Sequence, residues 1–186
     1  MPSADLVILG GGSGGYACAL RASQLGMSVI LIDKDKLGGT CLHRGCIPTK
    51  ALLHAAEVAD STRESAHFGV NATLEGIDMV KVNEYRDGVV GRLYKGLQGL
   101  VKSRNVTLVE GAGRLVSPTT VEVNGEQYTG KHVVLATGSY ARSLPGLEIE
   151  GRIMTSDQAL NMDWVPAKAI VLGGGVIGVE FASIWR

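Results

Sequence analysis

Residues 38–50 read GGTCLHRGCIPTK and hold the densest chemistry in the chain. Cys41 and Cys46 are separated by four residues, unlike the C-x-x-C of zinc and thioredoxin-like motifs. His43 lies between them, so a metal site has to be weighed. Zinc asks for four ligands, and His54 is the one further histidine close by, which makes metal the weaker reading. A purely structural disulfide is also weak: closing so short a loop contributes only about 2 kcal/mol, and a reducing compartment lowers that further. A redox-active thiol pair is the better reading. Cys46 stands where a helix is expected to begin, with Pro48 in its first turn. A helix N-terminus, together with Arg44 and Lys50, favours a thiolate there. Cys41, further from that helix, would be the thiol that meets an outside disulfide. Cys18 sits alone in an apolar helical pattern and reads as a packed core thiol. His43 is a tempting general base, but with Arg44 it reads as an exposed loop residue. His54, His67 and His132 read as structural or surface residues.

A second set of residues has the chemistry of phosphate binding. Gly10, Gly12 and Gly15 form G-x-G-x-x-G. The first glycine permits a tight turn, the second lets backbone approach a pyrophosphate, and the third lets helix and strand pack closely. The helix that follows presents N–H groups and a partial positive charge. Asp33 ends the next apolar run, 18 positions after Gly15, where an acid can bind a ribose 2′-OH. Gly173, Gly175 and Gly178 repeat the pattern late in the chain. Two copies point to two dinucleotides, such as a flavin and a nicotinamide. An acidic partner for the second copy would fall beyond Arg186, so the sequence does not choose between NAD and NADP.

These residues need elements to hold them. Residues 5–9 are a short apolar strand, 16–25 a helix stopped by Gly26, and 28–33 a second strand: a βαβ unit with a parallel sheet. A helix is expected from just after Gly45 to about residue 60, and another over 77–104. Glycines 88, 91, 96 and 99 each cost that second helix about 1 kcal/mol against alanine, and close packing on another surface would explain them. From Val106 the period becomes two. Residues 106–110, 113–117, 120–123 and 127–129 are expected to form an antiparallel meander, with Asn124-Gly125 as a hairpin turn. Residues 132–136 read as a buried strand. Leu144-Pro145-Gly146 marks a boundary, 156–160 a short helix, and 169–172 a strand leading into the second glycine cluster.

Composition narrows the field. The chain has 186 residues, 45% of them hydrophobic and 19% charged, enough for a buried core and too apolar for disorder. Lys and Arg total 18, as do Asp and Glu, which argues against a basic nucleic-acid-binding domain and against an acidic tail. No apolar run reaches the roughly 18 residues that span a bilayer. The first residues show no basic-then-apolar export signal, so a cytoplasmic location is expected. Twenty-six glycines without a G-X-Y period exclude collagen.

The cysteine segment resembles the active-site segment of the flavoprotein disulfide reductases. The resemblance continues through the early glycine motif, Ala136-Thr137-Gly138-Ser139 and the late GGGVIGVE at 173–180. Leu-x-x-Gly-Cys-Ile-Pro favours the branch that oxidises dihydrolipoamide over the glutathione and mercuric-ion reductases. Many relatives carry Asn-Val where this chain has His43-Arg44. The implied fold is α/β. A Rossmann-like FAD-binding domain, with a parallel sheet plus an antiparallel β-meander, would cover 1–147. A second Rossmann-like domain, for NAD, would begin over 148–186.

The resemblance also implies roles. FAD would meet Gly10, Gly12, Gly15 and Asp33, with Gly39 and Thr40 near its phosphates. Ala112 and Gly113 would lie on the adenine side, and Thr137, Gly138 and Ser139 along the cofactor. Lys50 would lie close to the flavin ring and pair with Glu180. Cys46 would face the flavin and Cys41 would exchange with substrate. Gly173, Gly175 and Gly178 would meet NAD. The weaker alternatives are that Lys50 is only a solvated helix charge and Glu180 only a first-turn helix acid favoured by the dipole. The implied partner is the lipoyl group of a 2-oxo acid dehydrogenase complex, the implied assembly a homodimer; neither nucleic acid nor membrane is implied. In the family the base for thiol exchange is a His backed by a Glu near the far C-terminus, supplied across the dimer. The chain is therefore expected to be a segment of a longer enzyme, without turnover by itself and at best a weak FAD-binding module.

Overall fold

Leu6-Val7-Ile8 is apolar at every residue, the pattern of a strand inside a sheet that is covered on both faces. The computed structural model, which describes residues 1–186, shows this arrangement. In chain order the elements are β1 (Ser3–Leu9), α1 (Ser13–Gln24), β2 (Val29–Asp33), α2 (Gly39–Arg44), α3 (Cys46–Arg63), α4 (Met79–Ser103), β3 (Thr107–Glu110), β4 (Gly113–Ser117), β5 (Thr120–Val123), β6 (Glu126–Leu135), α5 (Ser156–Ala159) and α6 (Val176–Ile184). They fall into two compact units, Met1–His43 with Arg92–Tyr140, and Arg44–Gly91 with Ala141–Arg186. No helix is long and apolar enough to cross a membrane.

The first unit is built on a six-stranded sheet of order β3-β2-β1-β6-β5-β4. β3, β2, β1 and β6 run parallel, and β6, β5 and β4 antiparallel, which makes the unit Rossmann-like with an added meander. One face carries Leu6, Ile8, Val29 and Leu31, covered by Ala19 and Ala22 of α1 and by Leu97 and Val101 of α4. Tyr94, Leu97 and Val101 follow the three-to-four spacing of one helix stripe. Cys18 packs at the edge of this core, as its apolar setting suggested. The opposite face carries Val7, Ile30 and Ile32, packed with Val121, Val123 and Tyr128.

Two strand expectations change. Residues 106–110 were expected in the antiparallel meander, yet β3 pairs in parallel with β2, Ile30 opposite Thr107. An antiparallel pair needs only a short turn, whereas α4 stands in the connection from β2 to β3 and returns the chain in the same direction. Residues 127–129 and 132–136 were expected as two strands, whereas Glu126–Leu135 forms one strand, β6. Its first part pairs with β5, and from Thr129 onward it pairs with β1. Asn124 and Gly125, at φ 52 and 85, make the expected hairpin turn.

The second unit gathers Leu52 of α3, Ala159, Leu160 and Met162 of the α5 region, and Phe181 of α6 into its own core. Arg86 is buried; its Nη1 donates to the Leu160 carbonyl and, at 3.0 Å, to Asn83 Oδ1. Asn83 in turn donates to the Met162 carbonyl at 3.0 Å. Thr155 and Gln158 form a capping box at the start of α5. The expected strand at 169–172 is absent. A strand exists through hydrogen bonds to a neighbour, and this unit contains none; Ile170 is 92% exposed. The close packing expected at Gly88, Gly91, Gly96 and Gly99 is absent too: a Cβ at each would meet open space.

At the N-terminal end of β1, Asp5 Oδ2 accepts from the Ser28 N–H and hydroxyl, both at 2.8 Å, and Oδ1 pairs with Lys131 at 2.7 Å. The hydrogen bond from Lys131, followed by those from Ser28, holds the Asp5 carboxyl well below the usual carboxylate range. A pKa lowered by folding stabilises the fold above the unfolded value, about 3.9, and that contribution fades as pH falls below it. Asp5→Asn is therefore expected to lower the urea midpoint at about pH 7, with the gap from wild type narrowing below about pH 4. A gap of the same size at about pH 3 would contradict this role.

Candidate functional site

In the first unit the site is built around the turn that leaves β1. Gly10 has φ +109, and its N–H donates to the Ile32 carbonyl at 2.7 Å. A Cβ at Gly10 would collide with the Ala136 carbonyl oxygen, and a Cβ at Gly15 would collide with the Gly10 carbonyl oxygen. Both glycines are thus required by packing of β1, α1 and the end of β6. Gly12 is different. It caps α1 in an extended conformation, and the nearest atom to a Cβ there is Gly39 Cα at 3.9 Å. Its missing side chain leaves room rather than relieving a clash. α1 begins with no side-chain cap and no acid in its first turn, so its first N–H groups are uncompensated by the protein. This cradle fits a pyrophosphate.

Asp33 ends β2 beside this turn. Its Oδ2 accepts the Gly11 N–H and its Oδ1 accepts the Asp35 N–H at 2.8 Å. A carboxylate has about four acceptor positions, so capacity remains for a ribose hydroxyl. The thiol segment also reaches the turn. The Gly38 N–H donates to the Gly11 carbonyl at 2.9 Å, and Gly39, at φ +60, lies so close that a Cβ would come within 2.6 Å of Gly12 Cα. Exposed Thr40 follows, then half-buried Cys41. Ala112 is exposed, while a Cβ at Gly113 would run into Leu9, Val121 and Ile32, so packing alone accounts for that glycine. Thr137, Gly138 and Ser139 are exposed and follow Ala136, whose N–H donates to the Leu9 carbonyl at 2.8 Å.

Three features were not read from the sequence. Cys41 belongs to a helix of its own, α2. His43, expected as an exposed loop residue, is helical and half-buried: its Nε2 lies 2.9 Å from the Leu37 carbonyl, and its ring meets Tyr94 edge-on at 5.0 Å. A carbonyl only accepts, so Nε2 carries the proton. Lys34, next to Asp33, donates to the Tyr140 hydroxyl at 2.7 Å. No local pattern signals a contact between residues so far apart in the chain.

In the second unit Cys46 is the first residue of α3 and is exposed. Gly45 supplies no side-chain cap and no acid stands in the first turn, a setting that favours negative charge at Sγ. The turn is closed by Thr49, whose N–H and hydroxyl donate to the Gly45 carbonyl at 3.1 and 2.6 Å. Lys50 follows and its Nζ lies 2.5 Å from Glu180 Oε1. Glu180 lies beyond the first turn of α6, so the helix dipole does not account for it. Before α6 the second glycine turn takes the backbone of the first. Gly173 has φ +106, Gly175 caps the helix in an extended conformation, and a Cβ at Gly178 would collide with the Gly173 carbonyl oxygen.

The chain has relatives among known proteins. The chain is 45% identical to the dihydrolipoyl dehydrogenase of Bacillus subtilis over 97% of its own length and 41% of that protein's. It is 43% identical to the mitochondrial dihydrolipoyl dehydrogenase 1 of Arabidopsis thaliana, over 97% of this chain and 37% of that one. Among solved structures, the Cu(II) complex of the HOCl-induced flavoprotein disulfide reductase RclA from Escherichia coli superposes with a TM-score of 0.79 at 27% identity, over 100% of this chain and 40% of that chain. The chain thus spans about two-fifths of the length of these relatives. Residues 4–186, from the first strand through α6, match the family pattern, and on that ground the chain belongs to the pyridine nucleotide-disulphide oxidoreductases.

Proposed function

We propose that this chain is the flavin-binding and thiol-bearing part of a dihydrolipoamide dehydrogenase, with FAD and NAD as cofactors. The observation that carries the reading is the seating of Gly39 against Gly12, which starts the thiol segment at the nucleotide turn itself. The relatives named dihydrolipoyl dehydrogenase favour this substrate over other disulfides. In this reading residues 1–147 serve FAD and residues 148–186 begin the NAD domain. The working protein is a cytoplasmic homodimer that serves the lipoyl group of a 2-oxo acid dehydrogenase complex.

The residues divide the task as follows. Gly12, Gly39 and Thr40, with the first turn of α1, hold the pyrophosphate, and Asp33 accepts from ribose. Ala112, Gly113, Thr137, Gly138 and Ser139 line the adenosine and ribityl stretch. Gly173, Gly175 and Gly178 receive the nicotinamide dinucleotide. Bound FAD supplies electron transfer between the thiol pair and NAD. The protein's own chemistry is thiol exchange. A substrate thiolate attacks Cys41 Sγ, the Cys41–Cys46 bond breaks, and Cys46 leaves as a thiolate. The second substrate thiol then attacks the mixed disulfide, releasing cyclic lipoamide and the Cys41 thiol. The start of α3 stabilises the negative charge on Cys46. Lys50, oriented by Glu180, keeps a positive charge one turn from that thiol.

A visible scan after incubation with FAD and gel filtration, repeated after adding a dithiol, tests the reading. A retained flavin spectrum with a new long-wavelength shoulder is expected, and Cys46→Ser is expected to keep the flavin and lose the shoulder. A shoulder of equal size in Cys46→Ser would contradict the role of that thiol.

The glycines separate binding from folding. Gly12→Ala has room in the fold and is expected to leave the circular dichroism spectrum unchanged while weakening FAD about tenfold or more, roughly 1.4 kcal/mol. Gly15→Ala collides with backbone and is expected to lower the thermal midpoint as well. Unchanged FAD affinity in a folded Gly12→Ala would show that the turn does not hold the pyrophosphate.

A further inference from the structure

One contact at the sheet's carboxyl end is explained by neither packing nor the thiol chemistry. Lys34 Nζ donates to the Tyr140 hydroxyl at 2.7 Å and also lies 5.4 Å from the centre of the tyrosine ring. Both residues are exposed, so burial does not force them together. The hydrogen bond to Tyr140 raises the Lys34 ammonium above the ordinary lysine range. Its place in the topology is specific. Lys34 directly follows β2, Tyr140 lies just beyond β6, and β1 with its glycine turn runs between those two strands. The turn is fastened to both flanks, to Asp33 through the Gly11 N–H and to Ala136 through the close approach of Gly10. The Lys34–Tyr140 pair therefore joins the two banks of the crevice where α/β sheets receive their ligands.

We propose that Lys34 and Tyr140 form a strap that retains the dinucleotide seated on the first glycine turn. The strap acts as a pair, because neither side chain alone spans from β2 to the segment after β6. It rests on the FAD reading above but assigns a task to residues which that reading leaves unused. Lys34 and Tyr140 are positioning residues, and their effect falls on the release rate of the cofactor rather than on thiol exchange.

The test is the rate of FAD release from the flavin-loaded protein, followed by the rise in flavin fluorescence on dilution. Tyr140→Phe, which keeps the ring and loses the hydroxyl, and Lys34→Met, which keeps the stem and loses the charge, are each expected to speed release about 3- to 10-fold. The double variant is expected to release no faster than the faster single variant, since breaking either end breaks the strap. Release at the wild-type rate in both single variants overturns the strap. Additive effects in the double variant overturn it as well, because they show two independent contacts. A wild-type protein that retains no flavin overturns the cofactor reading and the strap together.

Discussion

The first unit depends on a near-absence of space where β1 ends. Gly10 and Gly15 bring the backbone of the turn, the first turn of α1 and the end of β6 so close that no side chain fits at either glycine. In the order β2-β1-β6, β1 lies inside the sheet, and layers on both faces bury Leu6, Val7 and Ile8. Once those contacts form, α1 points its N-terminus out of the sheet at a place where Gly12 leaves room. The opening at Gly12 and the uncapped start of α1 are thus consequences of packing. The second unit repeats the backbone of this turn at Gly173, Gly175 and Gly178 without a sheet beneath it. The turn geometry is therefore set locally by the glycines and the helix start, and the strand only anchors it.

Cys41 is tied to the first glycine turn through covalent continuity and short contacts. Gly38 and Gly39 dock on Gly11 and Gly12, α2 carries Cys41, and His43 fastens the end of α2 to the Leu37 carbonyl. The next helix starts on Cys46 and carries Lys50 toward Glu180. Each thiol thus belongs to a helix with its own anchor. The histidine between them, which by sequence resembles a general base, spends its Nε2 proton on a backbone carbonyl and its ring on Tyr94.

Much of this was legible in the sequence where the signal was local. The glycine spacing, the β-branched runs around residues 5–9 and 28–33, the Asn-Gly hairpin and the start of α3 all rest on φ/ψ demands or periodicity within a few residues. Non-local facts were not legible. The parallel pairing of β3, the fusion of two short strands into β6, and the Lys34–Tyr140 contact each depend on which distant segment arrives alongside. Residues 169–172 show the converse: their composition favours a strand, but with no partner in the second unit the propensity has nothing to pair with. The glycines of α4 were read as a packing surface, and they face open space instead.

The central claim is that the first glycine turn recognises the pyrophosphate of a flavin dinucleotide. The most direct measurement is a binding titration of the protein with FAD and, separately, with FMN, which carries the same isoalloxazine but no pyrophosphate bridge or adenosine. FAD binding at least about tenfold tighter than FMN, a difference of roughly 1.4 kcal/mol, is the predicted result. Equal affinity for the two flavins would contradict the account, because the second phosphate and the adenosine, with Asp33 beside its ribose, would then add nothing to what the single phosphate of FMN gains.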